Sequence, residues 1–136
     1  MLTLNDSGIL HNGGESRMEF DLAKAELEHI MPEKIIDTQW DTYFKNEITE
    51  PKCSEALIRS QYHLDNLTKI GNLTLLPPGV NNSIKNSAFM EKRNQAYDNS
   101  QIKITQGLRD YTKWDHKTIK IRQDKLAIDA ADIWKL

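Results

Sequence analysis

The chain has 136 residues, the size of one domain, with 38% hydrophobic and 28% charged residues. That balance builds a globular core and argues against global disorder. The formal net charge of −2 excludes a uniformly basic nucleic-acid-coating protein, though not a local basic face. The single cysteine, Cys53, excludes an intramolecular disulfide framework and a cysteine-built zinc knuckle. No apolar run reaches the roughly 20 residues that span a bilayer, and the N-terminus lacks a signal-peptide pattern. A soluble, cytoplasmic protein with no membrane partner is expected.

Residues 1–19 hold the turn formers Asp6-Ser7-Gly8 and Asn12-Gly13-Gly14 and read as a flexible leader or linker remnant. Apolar content then rises towards Glu28-His29-Ile30-Met31-Pro32. Pro32 pushes Met31 into an extended conformation, so Glu28 and His29 fall at the end of a short strand. Trp40, Tyr43 and Phe44 have the i, i+3, i+4 spacing of a buried helical stripe. Pro51 and Ser54 are expected to open a second helix that buries Leu57, Ile58, Tyr62 and Leu64.

Asn72-Leu73-Thr74-Leu75-Leu76 reads as a second strand, closed by Pro77-Pro78-Gly79. A helix from about Asn81 to Tyr97 follows, with Ile84, Ala88 and Phe89 on one face. Two more helical segments, near Ile102–Leu108 and Lys117–Trp134, complete the chain. The last carries Ile119, Arg122, Leu126, Ile133 and Trp134 near one stripe, with Arg122 favoured as a buried structural residue. Charge is uneven along this order. Residues 1–84 carry 7 Lys+Arg against 13 Asp+Glu, whereas residues 85–125 carry 10 against 5. Solvated helix faces and an anion-binding surface account for this equally well.

The chemistry lies in Glu28-His29, Asn72 and Asn81. Adjacent residues on a strand point to opposite faces. A carboxylate can therefore reach a metal while the neighbouring imidazole meets an attacking water. A hard divalent cation takes oxygen ligands and keeps several waters, which suits phosphodiester hydrolysis, and a neutral imidazole is a natural base for water. Each residue also has a plainer explanation. Gly71-Asn72 suits a turn, and Asn81 suits a helix N-cap. His63 lacks a motif partner and is expected to be structural, His11 and His116 to be surface residues, and Cys53 to have no chemical role.

Glu28-His29-Ile30-Met31-Pro32, Gly71-Asn72-Leu73-Thr74-Leu75-Leu76, Asn81 and Asn86-Ser87-Ala88-Phe89-Met90-Glu91-Lys92 together resemble the HNH nuclease domain at the C-terminus of GmrSD restriction endonucleases. Trp114, Ile119, Arg122, Leu126 and Trp134 fall in the same order, so the resemblance spans about residues 20–136. It implies an α+β fold, mostly helical, in which a small antiparallel β-hairpin and a helix form a ββα-metal (HNH) site. That core would cover about residues 24–97, with C-terminal helices over about 100–136.

The resemblance also implies roles. Glu28 and Asn81 match metal ligands, His29 the general base, and Asn72 the Asn that braces the catalytic loop. Asn82 and Asn86 compete with Asn81 for the second-ligand role. Lys85, Asn86, Lys92 and Arg93 are placed to meet DNA. An oxygen-only ligand set favours Mg²⁺ or Mn²⁺ over Zn²⁺. The implied activity is DNA endonuclease cleavage in a restriction or phage-defence system, with a ParB-like nucleotide-hydrolysing subunit or domain as partner. Two other readings compete: a catalytically inactive DNA- or partner-binding module on the same fold, and an unrelated helical adaptor. An adaptor would show no stabilisation by Mg²⁺ or Mn²⁺.

Overall fold

The computed structural model describes residues 22–133. The stretch read as a leader, and Trp134, lie outside them. Strand β1 (Glu26–His29) pairs antiparallel with β2 (Leu73–Leu76), with Glu28 opposite Thr74 and His29 opposite Leu73. Among the described residues, six α-helices surround this two-stranded sheet: α1 (Gln39–Glu47), α2 (Ala56–Leu67), α3 (Val80–Ile84), α4 (Phe89–Lys92), α5 (Lys103–Gln106) and α6 (His116–Ile133). The fold class is α+β and mostly helical, as expected.

A two-stranded hairpin is marginal alone, and its neighbours supply what it lacks. The inner face of the pair carries Glu28, Thr74 and Leu76, all buried. The Thr74 hydroxyl meets that of Thr105 at 2.7 Å, and Thr105 also donates to the Leu75 carbonyl at 2.6 Å, which docks α5 on β2. From α6, the Arg122 guanidinium donates to the carbonyls of Gly71 (2.8 Å) and Leu73 (2.7 Å) and, at 3.3 Å, to that of Ile104. Burial lowers its pKa to about 10, which still leaves it cationic at neutral pH. Arg122 is thus the buried structural residue the sequence favours. Helix α6 crosses so close that a Cβ on Gly71 would collide with the carbonyl oxygen of Ile119. Gly79 is required for a different reason: at φ 86° it turns the chain out of Pro77-Pro78 and into α3.

Helix α1 is capped by Thr38, whose hydroxyl accepts from the Trp40 N–H, and it buries Trp40 and Phe44. Phe44 packs edge-on against Tyr62 of α2 at 5.1 Å. Residues 51–54 form turns, so α2 starts at Ala56. It buries Tyr62 and Asn66, while Leu57 and Leu64 stand 86% and 61% exposed. Tyr62 and Asn66 are one turn apart on one face, and the seven-residue spacing of the two leucines puts them together on another. Helix α6 begins at a reciprocal cap, in which the Asp115 carboxylate accepts from the Thr118 N–H and the Thr118 hydroxyl accepts from the Asp115 N–H. His116, expected on the surface, is only half-exposed, its Nδ1 2.9 Å from the Tyr62 hydroxyl.

The expected helix over Asn81–Tyr97 is broken. Helix α3 ends at Ile84, and residues 85–88 turn the chain before α4. After Lys92 the helix widens into a π-helical turn, Arg93–Tyr97, closed by the Asp98 N–H on the Arg93 carbonyl at 2.9 Å. In a regular α-helix, residues five apart point about 140° away from each other. The widening instead lets Lys92 and Tyr97 reach one atom. Among the described residues, no helix is long and apolar enough to cross a membrane.

Candidate functional site

Beside the sheet lies an open groove of about 650 Å³. Strand β1 contributes Leu27, Glu28 and His29, and α3 and the turn after it contribute Asn81, Lys85 and Asn86. The loop after β1 closes one end with Pro32, Glu33 and Lys34. His29 is half-exposed. Its backbone carbonyl is bonded within the fold, while its ring makes no hydrogen bond to another described residue. Asn81 is also half-exposed, and its Nδ2 donates to the Leu27 carbonyl at 3.0 Å. It lies inside α3, whose N-cap is Gly79, so the capping explanation for Asn81 does not apply. Of the competing asparagines, Asn86 lines the groove and Asn82 does not.

Glu28 sits differently. Only 2% exposed, it turns its Oε2 inward, where the Lys92 ammonium donates to it at 3.0 Å and the Tyr97 hydroxyl at 2.6 Å. The same ammonium donates to the carbonyls of His29 (3.0 Å) and Ile30 (2.9 Å). Burial lowers the Lys92 pKa, against the pull of Glu28. Burial and then the Glu28 charge hold the Tyr97 phenol well above its usual range, so it stays a donor. Glu28 Oε1 has no hydrogen bond to a described residue, and Glu28 is among the groove's lining residues.

Asn72 is fully buried and uses both ends of its amide. Its Oδ1 accepts from the Met31 N–H (2.8 Å) and the Trp114 indole N–H (2.9 Å). Its Nδ2 donates to the carbonyls of Met31 and Leu67, both at 3.0 Å. The chain leaving β1 is thereby latched to the residue that precedes β2, and the Ile30 N–H adds a bond to the Asn72 carbonyl at 2.9 Å. Asn72 is thus enclosed, braces the backbone after β1 and does not line the groove. His63 has a related task, its Nε2 meeting the Pro32 carbonyl at 2.8 Å.

The expected DNA contact of Lys92 is corrected by its position. Lys92 is 0% exposed with all three ammonium donors in use, so it has none left for a phosphate. Arg93 is held by the Tyr111 carbonyl at 2.7 Å, its Nε lies 3.6 Å from Asp98 Oδ1 in an ion pair without a hydrogen bond, and it does not line the groove. Lys85 is exposed at the groove, as is Lys34, which lies outside every sequence motif.

Compared with known proteins, residues 5–128 match the family model of the C-terminal domain of GmrSD restriction endonucleases. The chain belongs to this family. No curated protein and no solved structure matches it. As a GmrSD C-terminal domain, the chain is a nuclease-type restriction module. The family match begins at residue 5, inside the stretch that the sequence suggested was a leader. In this GmrSD domain, β1 and the start of α3 line one groove, and Asn72, just before β2, braces it.

Proposed function

We propose that this domain is a metal-dependent HNH endonuclease module that hydrolyses DNA phosphodiester bonds within a restriction or phage-defence system. One observation carries the reading: the Asn81 amide tip lies 3.0 Å from the Leu27 carbonyl in the groove that also holds His29. The Asn81 amide oxygen and the Leu27 carbonyl, brought together by that hydrogen bond, would offer oxygen donors to a cation in the groove. With Glu28 Oε1, the donors are all oxygen, which fits Mg²⁺ or Mn²⁺. Such a cation, when bound, would draw charge from the scissile phosphate and stabilise the leaving oxygen.

The chain's own residues do the rest. The half-exposed His29 imidazole takes a proton from water through a ring nitrogen. Asn72 keeps the backbone that carries it in place by latching Met31. Lys34, Lys85 and Asn86 meet the DNA backbone, where phosphate contacts supply affinity and register more than sequence preference. A ParB-like nucleotide-hydrolysing partner belongs to the same proposal and rests on family membership.

The buried Glu28–Lys92 pair favours a second reading, an inactive DNA- or partner-binding module in which the ammonium permanently neutralises the carboxylate a cation would need. Metal binding separates the two. Replacing Glu28 or Asn81 by Ala is expected to weaken Mn²⁺ binding at least tenfold by isothermal titration. Wild-type protein that binds no Mn²⁺ with or without DNA, or variants that bind it as well as wild type, would favour the inactive module.

A further inference from the structure

Buried ion pairs contribute little to stability compared with apolar residues of similar size, so the Lys92–Glu28 pair invites an explanation other than stability. The Lys92 ammonium is fully enclosed and spends its three N–H bonds on Glu28 Oε2 and the carbonyls of His29 and Ile30. It therefore grips the carboxylate of the proposed ligand and the backbone of the proposed base with a single group. It also cancels the carboxylate's charge. The other proposed donors, Asn81 and the Leu27 carbonyl, are neutral. Glu33, the other carboxylate lining the groove, is offset by Lys34 and Lys85.

We propose that Lys92 is a positioning residue that presents only Glu28 Oε1 to the groove and neutralises the site, so that the free protein binds a divalent cation weakly and a DNA phosphate supplies the missing negative charge. This rests on the nuclease reading above. Affinity at oxygen-ligand sites follows the number of charged ligands, and a site with no net negative charge is poor until an anion joins it. Cation and DNA then tighten each other's binding by the same factor.

The test uses the full chain and Mn²⁺ as the probe, with free Mn²⁺ read by electron paramagnetic resonance. Lys92→Gln removes the charge and keeps two N–H donors, and it is expected to tighten Mn²⁺ binding at least tenfold in the absence of DNA. A purely structural lysine would leave the affinity unchanged or weaken it, and either result in a cooperatively folded variant overturns the proposal. Should Lys92→Gln fail to fold, the non-cleaving His29→Ala protein provides a second measurement. Its affinity for a DNA duplex, followed by fluorescence anisotropy at fixed ionic strength, is expected to rise at least tenfold on adding Mn²⁺. Adding Glu28→Ala should abolish that gain, and DNA affinity indifferent to Mn²⁺ overturns the proposal. If Glu28→Ala loses Mn²⁺ binding but Lys92→Gln does not tighten it, only this inference fails. If wild-type protein binds no Mn²⁺ with or without DNA, the nuclease reading fails with it.

Discussion

A His29→Ala variant is expected to cleave DNA at least a hundredfold more slowly than the parent while keeping its fold and its affinity for Mn²⁺. A positioned general base contributes about 10²–10⁴-fold to rate, and loss of the imidazole removes that contribution entirely. The fold depends little on this ring. What it uses of His29 is the backbone, paired in β1 and bonded through its carbonyl to Lys92, and Ala keeps both. The Asn81–Leu27 contact and the Glu28 clamp do not involve the imidazole either. Plasmid nicking rates, thermal unfolding and Mn²⁺ titration on one preparation separate these effects. Equal nicking by variant and parent would remove His29 from the base role.

Asn72→Ala is expected to act on stability instead, lowering it by about 3–5 kcal/mol, since each buried polar group left unpaired costs about 1–3 kcal/mol. Four partners lose their bond at once: the Met31 N–H and carbonyl, the Leu67 carbonyl and the Trp114 indole. Relaxation and entering water recover part of the loss. Against a typical total of about 5–15 kcal/mol, the remainder should lower Tm by roughly 10–20 °C. Cleavage should fall with it, because Met31 and Pro32 follow directly on the strand that carries His29. A Tm within 3 °C of the parent, by calorimetry, would contradict the bracing role.

Much of this arrangement is legible in the sequence because it is local or motif-bound. Pro32 and the acid–His pair mark the end of β1, Pro77-Pro78-Gly79 marks the end of β2, and the nine-residue step from Asn72 to Asn81 carries the chain from the brace to the groove. Trp40 and Phe44 are buried as their spacing implies. What escapes the sequence is set by contacts between distant residues. Lys92 looks like any helix-surface lysine until Glu28, 64 positions earlier, folds against it. Its partnership with Tyr97 is hidden too, because five-residue spacing shares a face only where the helix widens to π geometry. Leu57 and Leu64 mislead in the opposite direction, since apolar residues on an amphipathic helix report a face without saying whether anything covers it.

Under the proposed reading, Glu28, His29 and Asn81 make one hydrolytic centre. That reading is tested most directly by incubating the purified chain with modified and unmodified supercoiled plasmid in Mg²⁺, Mn²⁺ or EDTA, beside its Glu28→Ala, His29→Ala and Asn81→Ala variants. Nicked or linear product is expected from the parent chain with at least one plasmid in Mg²⁺ or Mn²⁺, none in EDTA, and a large loss in all three variants. Cleavage that persists in EDTA or in all three variants, or no cleavage of either plasmid by the parent, would contradict it.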